Sequence, residues 1–199
     1  MPGPWAFLKS NATPRGLGVA AGAVMLLMLT VQFALIPPYE AITGYLPFDA
    51  QPRLSQFMVG VELGAFAKGT ATMAYVMYAI GDALADMATA WLFVLFWHGL
   101  FEKIPTRLFA FLARGGILLV PLYVLAMDLA AKAGFFRLLN GVEGPSYAAT
   151  ADFSVTVHRL AMVLADLRNY LTAAFVVIAI VSLLLKRYGR RERKPRVLL

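Results

Sequence analysis

Apolar residues run along this chain in four long blocks, at about 16–36, 82–101, 116–138 and 164–185. The segments outside them hold most of the prolines and charges. Each block is close to the ~20 residues that a helix needs to cross the hydrocarbon core of a bilayer. Lipid offers no hydrogen bonds to an exposed backbone, so such blocks cross as helices, which satisfy their own polar groups. The pattern predicts an all-α, integral membrane four-helix transmembrane bundle: one polytopic domain over 1–199, with an external cap at 37–80 and a basic tail at 186–199.

Local signals sharpen the elements. Pro37-Pro38 are expected to end the first helix, because proline lacks the backbone donor and its ring clashes with the preceding turn. Gly44-Tyr45-Leu46-Pro47-Phe48-Asp49 reads as a turn. Leu54, Phe57, Met58, Val61, Leu63 and Phe66 fall at helical spacing, either as a helix lying on the membrane surface or as a cap on the bundle's outer mouth. No proline interrupts Thr70–Phe101. The fourth helix is expected to start at Asp152-Phe153-Ser154 and run to Lys186. Both helices would then be roughly 45–50 Å long against a core of ~30 Å, so they project beyond it or tilt. Asn140–Pro145 reads as a loop with turn chemistry at both ends. The first block is too long for a signal-peptide core and ends in Leu35-Ile36-Pro37-Pro38 without a small-x-small site, so it is expected to be a retained span.

Composition agrees with lipid as the solvent. The chain is 60% hydrophobic and 15% charged, with a mean hydropathy of +0.71, whereas soluble domains carry about 25% charged residues. The net charge of +7 does not point to nucleic acid. Seven of the cations fall between Lys186 and Arg196, directly after a span, where anionic lipid headgroups attract them. Lys9 and Arg15 precede the first span, Lys103, Arg107 and Arg114 link the second and third, and the tail follows the fourth. The positive-inside rule then puts both termini in the cytoplasm. The Ala/Leu/Arg-rich, cysteine-free composition suits a multi-pass protein of the bacterial inner membrane. The partners it implies are the lipid bilayer, anionic headgroups at the tail, and either a second copy of the chain or a larger membrane complex.

The chemistry lies in charges inside the blocks. Asp82 and Asp86 belong to the second helix, Asp128 and Lys132 to the third, Asp166 and Arg168 to the fourth. A charge at the bilayer centre costs about 2.5–3.5 kcal/mol on insertion scales, so such residues face the bundle interior, pair, or line a wet cavity. Counting from the basic cytoplasmic markers at the standard rise, Asp86 lies about 25 Å from Lys103, Asp166 about 30 Å and Arg168 about 27 Å from Lys186, Lys132 about 27 Å from Arg114, and Gln32 about 26 Å from Arg15. Separate helices thus place their polar groups in one layer toward the external face. The triplets Leu84-Ala85-Asp86 and Leu164-Ala165-Asp166 echo that shared depth. Tyr75, Tyr78, Asp82, Asp86 and Thr89 follow steps of three and four and share one helix face. Asp128 and Lys132 stand four apart with the acid first, the favourable order for a helical ion pair. Arg159, Asp166 and Asn169 share another face, with Arg168 pointing elsewhere. The candidate ligand-binding residues are therefore Asp82, Asp86, Asp128, Lys132, Asp166, Arg168, Asn169, Tyr78 and Gln32. Four acids against two bases leave at least two carboxylates to be protonated, hydrated, or matched by Arg159, His158 or a bound cation.

Several chemistries find no support. Without cysteine there is no disulfide and no thiolate site. His98 and His158 belong near opposite membrane faces, which removes the paired ligands of a transmembrane haem. No Gly-x-Ser-x-Gly, His-Glu-x-x-His or phosphate-loop pattern occurs. No cofactor, no metal and no catalytic residue is assigned; a carboxylate metal site from Asp82, Asp86 and Asp166, with or without His158, is conceivable and no more specific than chance spacing. Two readings of the charged layer remain: glue that holds the helices in register, or a polar pocket open to the outside. The pocket makes the chain a binding or transport unit or an accessory subunit. The alternative is a membrane-embedded enzyme on a lipid or lipid-linked substrate, with an aspartate as general base.

Overall fold

The computed structural model describes residues 4–47, 70–103, 117–139 and 145–192. Among the described residues the chain is all-helical, with no strand. The elements are α1 (Pro4–Asn11), α2 (Pro14–Thr30), a π-helical turn (Val31–Leu35), α3 (Ile36–Thr43), α4 (Thr70–Lys103), α5 (Val120–Leu139, entered through a 3-10 turn at Ile117–Leu119) and α6 (Pro145–Glu192). Three helical segments are long and apolar enough to cross a membrane: Pro14–Thr43, Thr72–Phe101 and Ser146–Leu185. The expected third span is not among them, because α5 carries Asp128, Lys132 and Arg137 within its 20 residues.

Two local expectations are corrected. Pro37-Pro38 do not end the first helix. The wider π turn immediately before them accommodates the missing donor and the ring, and the prolines then occupy the first positions of α3, where no donor is needed. The helix stops instead at Gly44, whose φ of 77° is the left-handed cap that glycine adopts without strain. Asp152-Phe153-Ser154 do not start α6 either, since that helix already begins at Pro145 and continues through the first part of the basic tail to Glu192. At its near end, the cap assigned to 37–80 is the helical α3; the apolar residues Leu54–Phe66 lie outside the described residues. Ahead of α2, α1 was not anticipated. It folds back so that Phe7 packs on Trp91, with ring centroids 5.8 Å apart, and Thr13 caps α2 by accepting the Gly16 N–H.

Neighbouring helices alternate in direction. α2 runs against α4, with Val31 and Leu35 near Gly81. α4 runs against α5, joined through Lys132. α5 and α6 form an antiparallel hairpin and pack along their lengths, while α4 is the element that touches all the others. α4 and α6 run parallel where Trp97 donates to Thr172 Oγ1 at 2.8 Å. Two apolar clusters result. One gathers Tyr39, Tyr75, Tyr78, Ala131, Phe135 and Val155 around α3 and the facing parts of α4–α6; the other centres on Trp97, Phe175 and Ala179. The polar groups on α4 lie between Tyr78 and Phe93, where the two clusters leave a gap.

The α5–α6 hairpin closes tightly at Gly134. A Cβ built there overlaps Ser154 Oγ and lies 3.1 Å from Ser154 Cβ, so the backbones meet at a distance only glycine allows. Gly134→Ala is expected to cost about 1–3 kcal/mol through overpacking, read as a lowered Tm of the detergent-solubilised chain. Adding Ser154→Gly to Gly134→Ala should recover most of the loss.

Candidate functional site

The site grows from one lysine. Lys132 emerges from α5 into the interior, where only 6% of its side chain is exposed. An ammonium held there needs acceptors, since burying an unmatched charge is prohibitive. Three carboxylates supply them. Asp82 Oδ2 lies 2.8 Å from Lys132 Nζ, Asp86 Oδ2 lies 3.0 Å away, and Asp128, one turn earlier on α5, completes the set. Asp82 and Asp86 are four residues apart on α4, so both point the same way. The carboxylates keep between 17% and 31% exposure, enough to hold water against their second oxygens. The three oxygens lie within 4.8 Å of one another, a spacing that a cation can bridge and that the lysine ammonium fills.

Tyrosines close one side of this cluster. Tyr39, Tyr75 and Tyr78 are buried, with ring centroids 6.0–6.4 Å apart, and Tyr75 donates a long hydrogen bond to the Lys132 carbonyl. On the other side lies a cavity of about 230 Å³ between α2, α4, α5 and α6. Asp86 and Asp128 form its acidic wall, His158 and Arg168 face it from α6, and Met28 and Met162 belong to its lining. Both methionines are exposed on the outer surface, so they mark a mouth on the flank of the helices. The cavity therefore extends from the cluster toward the middle of the helices, on the side away from the tyrosines, and not out past them as the expected pocket would.

Arg168 is incompletely satisfied. Its guanidinium carbon lies 4.1 Å from the centroid of the Phe93 ring, a cation–π contact. Its Nε is buried with no hydrogen-bond partner, and an Nη donates to Asn169 Oδ1 only at 3.5 Å.

Of the sequence candidates, Asp82, Asp86, Asp128 and Lys132 meet in one constellation, Tyr78 packs in the aromatic layer beside it, and Arg168 faces the adjoining cavity. Gln32, Asp166 and Asn169 are exposed and do not join. The reason is register. The inward stripe of α6 runs through Ser154, His158, Ala161, Ala165 and Arg168 to Thr172, in steps of three and four. Asp166 and Asn169 each follow a stripe position by one residue, about 100° around the helix. Gln32 sits inside the π turn, where the extra residue rotates the helix face by a similar angle. The candidate set lacks His158, which the sequence offers only as a possible match for the surplus acids, and Tyr39. The small-residue stripe Ala161–Ala165 was the available signal for His158; nothing in the sequence ties Tyr39 to Tyr75 and Tyr78.

Comparison with family models, curated proteins and solved structures finds no match for this chain. What fold and site define is an all-helical protein with membrane-capable helices and a lysine–carboxylate cluster beside a cavity.

The cluster predicts an order of effects on stability. Lys132→Met leaves three half-buried carboxylates facing one another and should cost about 3 kcal/mol, the lower end for a broken buried pair, because the carboxylates are partly hydrated. Asp82→Asn, Asp86→Asn or Asp128→Asn leaves Lys132 two acceptors and should cost about 1 kcal/mol each. Asp166→Asn and Asn169→Ala should stay within about 0.5 kcal/mol. Thermal unfolding in detergent measures all six.

Proposed function

We propose that this chain is a four-span bundle of the bacterial inner membrane with both termini in the cytoplasm, and that it binds a small polar ligand in the cavity beside Lys132. It acts as a binding or transport unit or as an accessory subunit of a membrane complex. The fourth span is α5. Its 20 residues give about 30 Å, the thickness of the hydrocarbon core. Its charges depress its hydropathy as though lipid surrounded them, yet Asp128 and Lys132 neutralise each other, and Lys132 also holds Asp82 and Asp86 through ion pairs. Arg137 lies near the helix end, where its long side chain reaches the interface.

The observation that carries the binding reading is the excess of acid at the cavity wall. An ion pair that only fastened two helices needs one carboxylate for Lys132. Here there are three, and two of them also line open volume with Arg168 and His158 opposite. Intramembrane ionisable groups around a cavity mark ligand or ion pathways. The enzyme reading uses the same residues, with Asp86 as base toward a lipid substrate at the Met28–Met162 mouth. It predicts that Asp86→Asn is stable and inactive, where a purely structural role predicts loss of folded protein.

Two experiments test the proposal on the naturally cysteine-free chain. For topology, Ser146→Cys should react with an impermeant maleimide in intact cells, whereas Ser10→Cys and Arg187→Cys should react only after permeabilisation; labelling of Arg187→Cys from outside would overturn the four-span arrangement. For the cavity, Thr89→Cys should react with a small water-soluble thiol reagent, because thiolate formation needs water. Val177→Cys, on the exposed apolar face of α6, should stay inert. An unreactive Thr89→Cys in folded protein would show a dry, structural cluster.

A further inference from the structure

We infer that the ligand of this cavity is a small zwitterion, an ammonium joined to a carboxylate or phosphate, with its amine on Asp86 and Asp128 and its acidic group on Arg168. The inference rests on the binding reading above and names the ligand class for that site.

Both halves follow from groups that the protein leaves incompletely matched. At one end, Asp86 and Asp128 each turn Oδ2 to Lys132. A carboxylate accepts hydrogen bonds at both oxygens, so the second oxygen of each is available to a further donor from the cavity. Three carboxylates around one ammonium leave two formal negative charges, and a ligand must bring positive charge or donors to that wall. At the other end, Arg168 lines the same cavity, and among the described residues it forms no ion pair. Its Nε is buried with no partner, and the face of Phe93 holds the guanidinium. A buried guanidinium donor without an acceptor is expensive, and a planar fork of donors fits a carboxylate or phosphate.

Opposite charges facing one low-dielectric space attract strongly. That Arg168 and the aspartates do not close on each other means the space between them suits a group complementary to both. A lone cation satisfies the aspartates and leaves Arg168 unmatched; a lone anion does the reverse and adds negative charge to the acidic wall. With Arg168 counted, the cluster carries one surplus negative charge, and it sits on the wall that the ligand's ammonium faces.

Size and access narrow the class. About 230 Å³ is the liquid volume of roughly eight waters and lies below the ~300 Å³ at which pockets begin to hold drug-sized molecules. The ligand, or the part that enters, is the size of an amino acid or of a phosphoethanolamine group. The same chemistry comes either as a free solute or as the headgroup of an aminophospholipid whose chains stay outside at the apolar Met28–Met162 mouth.

The test uses the full chain in detergent, with affinities for O-phosphoethanolamine, ethanolamine and inorganic phosphate measured by calorimetry. Phosphatidylethanolamine is compared with phosphatidylglycerol by native mass spectrometry. Phosphoethanolamine should bind at least ten-fold tighter than either half. Arg168→Gln should reduce it to the ethanolamine level, Asp86→Asn to the phosphate level, and Arg168→Lys should fall between. Each variant is admitted only if it stays monodisperse; Arg168→Lys, which keeps the charge, serves if Arg168→Gln does not fold. Retention of phosphatidylethanolamine over phosphatidylglycerol, with no binding of the soluble zwitterion, assigns the ligand to the lipid. Ethanolamine binding as tightly as phosphoethanolamine, with Arg168→Gln unchanged, overturns the zwitterion and leaves the polar-ligand reading standing. If no probe binds while Thr89→Cys remains reactive, the zwitterion again falls alone; if Thr89→Cys is also inert, both fall together.

Discussion

A lysine ammonium surrounded by three carboxylates organises this protein. Lys132 is too long and too strongly hydrated to be left bare among helices, and its acceptors come from two of them. That requirement fixes the rotation of α4 against α5 to within one residue, since a slip of one position on α4 would turn Asp82 and Asp86 about 100° away. Once α4 and α5 are set, the tyrosines at 75 and 78 face Tyr39 of α3, and Phe93 faces Arg168 of α6. Van der Waals packing between apolar helices in lipid has little orientational preference of its own, so the polar cluster supplies the specificity that Ala- and Leu-rich faces lack.

The α5–α6 hairpin provides the second constraint. Where Gly134 meets Ser154 the two backbones are in near contact, and the helices carry the Asp128 and His158 level with them. Aromatic packing then differs between the two ends: three tyrosines near the cluster, and Trp97 edge-on to Phe175 at 5.3 Å at the far end. The cavity lies between these two well-packed regions, where Ala90, Ala161 and Ala165 are too short to fill the space.

Much of this was legible in the chain because lipid imposes a long, simple period. The apolar blocks outline the helices, and counting residues from the basic markers puts Asp86 and Lys132 at one depth. Depth is a one-dimensional quantity and survives small errors in boundaries. Direction around a helix does not. Asp166 shares the depth of Asp86 and even its local triplet, yet one residue of register separates it from the inward stripe and puts it on the surface. Pro37-Pro38 misled for a related reason: proline forbids one hydrogen bond, and a π turn supplies a way around that loss which residue type alone does not announce. α1 was invisible because eight residues carry too short a period to read, and its position depends on Trp91, which is far away in sequence.

The length of α6 has a mechanical consequence. Forty-eight residues in one unbroken helix make a rod of about 72 Å, more than twice the hydrocarbon thickness. Arg168, at the cavity, stands 24 residues before its last residue, Glu192, about 36 Å away. Were the rod to pivot there by ~10°, its cationic end would sweep about 6 Å sideways. A stiff lever of this kind carries a small event in the middle of the membrane to its surface with no second moving part.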